Sequence, residues 1–242
     1  MSEPAPWIEN RWPRDPDRVH SIVLLLHGGR PHSPATIRRR TDLTYLRIVS
    51  FARVLHRRNH RRGMSVRILR YRYRGWNEPE RHPVQDAVWA LTQLHDQYRD
   101  ASIVLLGHSM GGRAALRVAD HPAVIAVCAL APWTLEDEPV QQVAGRSVLI
   151  AHGDQENMTD PRLSYQFAVR AKQVTSRVCR FDVLGDGHAM LRRARDWSEL
   201  AARFVEAELK LREPDQLIED AMRRPAPEGL RVPLPRMTQA RW

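Results

Sequence analysis

The chain has 242 residues, 43% of them hydrophobic, with 38 Lys and Arg against 28 Asp and Glu and a formal net charge of +10. That suits one well-buried domain, and no apolar run approaches the roughly 20 residues of a membrane span, which argues against a membrane protein. Met1-Ser-Glu-Pro-Ala-Pro-Trp7 lacks the charged-then-apolar layout of a secretory signal, and Cys128 and Cys179 have no ligand spacing to other Cys or His, so the expectation is a cytoplasmic protein with reduced thiols, no metal and no cofactor.

Residues 1–20 are rich in Pro, Trp and Arg and read as an extended arm. Six strand candidates follow: Ser21–His27, Val66–Tyr73, Ser102–Gly107, Val124–Leu130, Ser147–His152 and Val178–Leu184. Helical spacing of apolar residues predicts helices over Thr44–Arg58, Pro83–Arg99, Met110–Ala119, Pro161–Gln173 and Arg193–Leu211. Runs of Val, Ile and Leu without strict alternation indicate strands covered on both faces. The fold class is therefore α/β: a doubly wound, mainly parallel sheet of six strands or slightly more, with helices on both faces. The Ala131–Arg146 gap is too short for a separate lid domain. The α/β domain is expected over residues 21–212, and residues 213–242 form a Pro-rich extension. Within it, Asp215–Arg224 reads as a short helix, and Pro225–Pro235 as either a docked strap or a flexible tail.

The charge is almost all arginine, Lys172 and Lys210 being the only lysines. The densest run, Arg53-Val-Leu-His-Arg-Arg-Asn-His-Arg-Arg62, has helical spacing of its apolar members and reads as a solvated helix face. It lacks the aromatic interleaving of a nucleic-acid surface, so no nucleic-acid partner is expected. His56 and His60 stand at i,i+4, but no glutamate accompanies them and the flanking arginines repel a cation.

Chemistry concentrates where strands end. Gly107-His-Ser-Met-Gly111 joins a strand to a helix, a tight turn that lifts the Ser109 hydroxyl clear of the sheet and aims a helix N-terminus at it. A serine needs a base, and the base an orienting acid. His152-Gly-Asp-Gln-Glu-Asn-Met-Thr-Asp-Pro161 supplies an acid-rich loop, and Gly185-Asp-Gly-His188 a glycine-flanked histidine at the next strand end. His27-Gly-Gly-Arg30 supplies a turn with free amides. His27, His108 and His152 read as braces of strand ends, while Met110 and Trp133 fit pocket wall and ordinary packing equally.

On His27-Gly-Gly, Gly107-His-Ser-Met-Gly111, His152-Gly-x-x-Glu156 and Gly187-His188, the chain resembles the α/β-hydrolase superfamily over about residues 20–210. The likeness is to its compact, lidless serine hydrolases of esterase and thioesterase type. The resemblance implies Ser109 as nucleophile, His188 as general base and then acid, and the amides of Gly29 and Met110 as the oxyanion hole. The family commonly has aspartate where this chain has Glu156; Glu156 is placed first, with Asp154 and Asp160 as alternatives. The implied activity is cleavage of a small-molecule carboxylic ester through an acyl-enzyme. Two alternatives stand beside it: a thioesterase acting on an anionic carrier thioester, motivated by Arg70-Tyr-Arg-Tyr-Arg-Gly-Trp76, and a non-catalytic binding protein. No sequence signal bears on oligomeric state.

Overall fold

Apolar β-branched runs set the sheet. The computed structural model describes residues 4–11, 19–37 and 41–237. Residues 1–3 and 12–18 of the expected arm, and 238–242 of the extension, lie outside the described residues. The strands are β1 (Trp7–Arg11), β2 (Ser21–Leu26), β3 (Met64–Arg70), β4 (Ser102–His108), β5 (Val124–Leu130), β6 (Ser147–Gly153), β7 (Val178–Val183) and β8 (Val232–Pro233). They form one eight-stranded sheet in the order β1-β3-β2-β4-β5-β6-β7-β8. Only β1 runs antiparallel to its neighbour; the rest pair in parallel.

The helices are α1 (Leu43–Asn59), α2 (His82–Gln97), α3 (Met110–Arg117), α4 (Pro161–Ala171), α5 (Ala194–Glu208) and α6 (Gln216–Arg223). Alternate strand residues divide the core into two layers. Val23 and Leu25 pack with α1 and α5, while Ile22, Leu24 and Leu26 pack with α2, α3 and α4. The fold is thus the doubly wound α/β sheet expected, with two more strands than the six candidates and no separate lid domain among the described residues. No described helix is long and apolar enough to cross a membrane.

The two additional strands are both edges. β1 lies on β3, with Trp7 opposite Arg70. β8 belongs to the Pro-rich segment, which is a docked strap and not a flexible tail over residues 225–237. Leu234 donates its N–H to Asp182 O at 2.8 Å, and Met237 donates to Asp196 Oδ1 at 2.8 Å. The Arg193 guanidinium holds the carbonyls of Leu234 and Pro235. Prolines suit an edge strand because they remove donors only where no further strand pairs. Leu230, Val232, Leu234 and Met237 are all buried by this docking.

The strap therefore belongs to the core. Leu230→Ala, at a fully buried site, is expected to destabilise the protein by about 3 kcal/mol, read as a lower urea midpoint at unchanged slope.

Candidate active site

The site is built on a backbone approach so close that side chains are excluded from it. A Cβ on Gly107 would lie 2.2 Å from Gly111 O, and one on Gly111 would lie 2.1 Å from Leu26 O. The tips of β4 and β2 and the first turn of α3 are thereby pressed together. Between the two glycines Ser109 takes φ +57° and ψ −121°, a conformation that costs an L-residue on the order of 1–3 kcal/mol. Three backbone hydrogen bonds hold it: Ser109 N–H to Leu130 O at 3.0 Å, Arg113 N–H to Ser109 O at 3.2 Å and Trp133 N–H to Ser109 O at 3.1 Å.

His188 reaches this serine from the loop after β7. Its Nε2 lies 3.0 Å from Ser109 Oγ and its Nδ1 2.8 Å from Glu156 Oε2. With the proton on Nδ1, the imidazole donates to the carboxylate and accepts from the serine hydroxyl. The Glu156 side chain is fully buried. Its Oε1 accepts backbone N–H groups from Asn157 at 2.8 Å, Met158 at 2.7 Å and Thr159 at 3.3 Å, leaving Oε2 directed at His188. Burial pushes this carboxyl up, but the imidazoles of His152 and His188 and the Met158 N–H outweigh it and hold it well below the usual carboxylate range.

The other two acids are engaged elsewhere. Asp154 Oδ1 accepts the Gly185 N–H at 2.7 Å, tying the two loops together. Asp160 caps α4 through the Arg162 N–H at 2.8 Å and pairs with the Arg162 guanidinium. Of the three candidates, Glu156 is the one in hydrogen-bond contact with His188.

The Gly28–Gly29 turn abuts the serine. A Cβ on Gly28 would meet Ser109 Cβ at 3.3 Å, and one on Gly29 would meet Arg74 O at 2.3 Å and Met110 Cε at 2.4 Å. No described residue accepts from the backbone N–H of Gly29 or Met110. Met110 itself is buried, and Trp133 is half-buried with its ring against the Arg113 guanidinium.

The bracing histidines do what strand-end histidines do. His27 donates from Nδ1 to Gly28 O at 2.7 Å, and burial pushes it down to about 4. His108 binds the carbonyl of His188 at 3.1 Å, and burial pushes it down to about 3. His152 contacts Ser164 Oγ at 2.9 Å and Thr159 Oγ1 at 3.1 Å.

The sequence reading gave no role to two residues. Thr159 places its hydroxyl between His152 and His188, 3.4 Å from His188 Nδ1. Asp186 latches the histidine loop: Oδ1 accepts from Gly187 N–H, and Oδ2 from Arg193 N–H at 2.8 Å and Trp197 Nε1 at 3.0 Å. Its position between two glycines, immediately before the histidine loop, was the available signal. Of the three arginines offered as an anion site, two are otherwise occupied: Arg72 pairs with Asp86 at 2.6 Å and Arg74 with Asp42 at 2.9 Å.

Residues 23–239 match the sequence profile of the alpha/beta hydrolase family. No curated relative matches the sequence significantly. Among solved structures, the fold is similar to that of an alpha-beta serine hydrolase homologue from Coxiella burnetii, at 18% identity and TM-score 0.62, covering 82% of this chain and 91% of that one. It is similar to Est2 of Thermogutta terrifontis with propionate bound, at 20% identity and TM-score 0.61, covering 87% and 92%. It is also similar to Est1E of Butyrivibrio proteoclasticus with ferulic acid bound, at 15% identity and TM-score 0.62, covering 85% and 96%.

The buried imidazoles give the site an acid sensitivity of definite sign. Unfolding lets His27 and His108 take up protons near pH 6.5, which the folded state resists down to about 4 and about 3. Their contribution is full above pH 6.5 and is lost as pH falls, up to about 3 kcal/mol for His27 by pH 4. Urea midpoints should fall across that window, and His27→Gln should show a shallower slope than the native protein.

Proposed function

This chain belongs to the α/β-hydrolase family, an enzyme of hydrolase type, and we propose that it cleaves a small carboxylic ester through an acyl-enzyme on Ser109. The observation that carries the reading is the unbroken path from Ser109 Oγ through His188 to Glu156, at 3.0 Å and 2.8 Å, on a serine held in a left-handed turn. A binding protein has no use for that alignment. Propionate and ferulic acid, named with two structural neighbours, are acid halves of carboxylic esters, which supports an ester substrate.

In this mechanism Ser109 Oγ attacks the ester carbonyl carbon while His188 Nε2 takes its proton. The Glu156 carboxylate, held ionised by its hydrogen bonds, stabilises the imidazolium. The N–H groups of Gly29 and Met110 receive the oxyanion, about 3–4 kcal/mol of barrier lowering per donor. Collapse breaks the C–O bond, and the departing alkoxide takes the proton from His188. Water then attacks the acyl-enzyme with its proton passing to His188, and the acid leaves as the Ser109 oxygen recovers that proton.

The anionic-carrier alternative is weaker, because two of the three arginines that motivate it, Arg72 and Arg74, are paired with Asp86 and Asp42. Cys128 and Cys179 are buried free thiols, which fits a reducing compartment, and we assign the protein to the cytoplasm.

A fluorophosphonate probe should label the native protein and not Ser109→Ala; equal labelling of both, or none of either, overturns the assignment. Glu156→Gln should lower kcat on a short-chain p-nitrophenyl ester by roughly three to four orders of magnitude, because the imidazole loses its tautomer and its counter-charge. If Asp154→Asn or Asp160→Asn does this instead, the acid is misassigned.

A further inference from the structure

One cavity bounded by described residues lies away from Ser109. It has a volume of about 770 Å³ and runs between the C-terminal half of α1 and the first turns of α5. Arg57, Arg58, Arg61, Arg62 and Arg195 line it against a single carboxylate, Glu199, with Val54 and Ala194 as apolar wall. A second hollow of about 290 Å³ continues it along α1 and shares Arg57 and His60 with it. None of these residues takes part in the Ser109 site.

Arg58 is paired with Glu199 and, through two hydrogen bonds, with Glu206, so the unmatched charges in this groove are those of Arg57, Arg61 and Arg195. Glu199 is committed to Arg58 at 2.8 Å and Arg203 at 2.9 Å. Arg57, Arg61 and Arg195 are exposed, and their guanidinium groups have no ion-pair or hydrogen-bond partner among the described residues. Arg53, Arg57 and Arg61 recur at four-residue spacing, which stacks like charges on one stripe. The end of α1 tolerates cations because its carbonyls point at them. Arg195 has no such excuse: it is the second residue of α5, where the helix dipole disfavours a cation. Arg193 provides no side-chain cap there. Cations converging from two helices, one at an electrostatically unfavourable position, describe a surface that an anion would complete.

We propose that this groove binds a soluble small molecule carrying an oligophosphate group. Several guanidinium forks suit phosphate oxygens bidentately, where ammonium groups act as point charges. The cavity's size is that of small-ligand sites, and its concavity favours a compact polyanion over a duplex, whose phosphates follow a long convex path. Because no lining residue belongs to the Ser109 site, the proposal stands or falls independently of the hydrolase mechanism.

The test is calorimetric titration of the full chain with tripolyphosphate at physiological salt. The expected result is saturable binding at one site, weakened about tenfold or more by Arg57→Gln/Arg195→Gln and less than about twofold by Arg99→Gln/Arg224→Gln, which removes the same charge elsewhere. Circular dichroism checks that the variants fold. Should the groove variant not fold, tripolyphosphate must shield Arg57 and Arg195 of the native chain from phenylglyoxal, read by mass spectrometry. Non-saturable binding, equal weakening in both variants or no shielding overturns the proposal. So does tighter binding of an oligonucleotide with stoichiometry rising with its length, which assigns the surface to nucleic acid.

Discussion

Everything at the candidate site depends on how closely α3 is pressed against the sheet. The Gly107–Gly111 and Gly111–Leu26 approaches leave no room for a Cβ, so the helix starts at the strand tips and not above them. That geometry forces Ser109 into positive φ and simultaneously points the first N–H groups of α3 past its hydroxyl. The strain needs an anchor, and Arg113, one turn into α3, supplies it. Its guanidinium is buried, bonded to Glu138 at 2.6 Å and set in the corner between the edge-to-face rings of Trp76 and Trp133, at 4.2 and 4.9 Å. A buried pair of this kind adds little net stability but penalises any arrangement that separates it. It thus fixes where α3 lies more than how stable the fold is.

The acid and the histidine are positioned by a second interlock. Their loops leave adjacent strands, β6 and β7, and grip each other through backbone. Gln155 N–H bonds Asp186 O at 3.0 Å, and Cβ atoms on Gly153 or Gly187 would collide with Asp186 O or Gln155 O. A glutamate suits this frame where a shorter acid would not. Its extra methylene lets one carboxylate oxygen fold back onto three successive backbone N–H groups while the other projects to His188. The carboxylate is preorganised by its own loop, so it needs no reorganisation when the imidazole becomes charged.

The central strands and flanking helices were legible in the sequence because long apolar runs carry their own periodicity. β3 was placed at Val66–Tyr73 and lies at Met64–Arg70, since Tyr71 turns inward against His27 and ends the ladder. The edge strands β1 and β8 were not legible. Each is short, and one contains proline, so neither has an apolar signature apart from the neighbour it pairs with. In the sequence reading, Glu156 stands ahead of Asp154 and Asp160 only through the family resemblance, for a related reason. The choice turns on which carboxylate the backbone amides of its own loop capture, and on which is drawn to Gly185 or Arg162 instead. The partners of Arg72 and Arg74 were hidden likewise, because Asp86 and Asp42 lie on other elements.

Arginine content was ambiguous as composition and becomes two populations in three dimensions. Arg113, Arg180 and Arg193 are buried and act as multivalent cross-links. Arg180 reaches Ser164, Asp182 and the strap carbonyl of Leu230, while Arg193 ties Asp196 to Leu234 and Pro235. A planar five-donor group can satisfy several carbonyls at once where lysine cannot. This explains arginine at these sites without any appeal to a ligand. The same argument fails for Arg57, Arg61 and Arg195, whose side chains are exposed and satisfy no acceptor among the described residues. Their convergence on one concave surface from two helices therefore needs a different cause, and an external anion is the one that the electrostatics of both helices would reward.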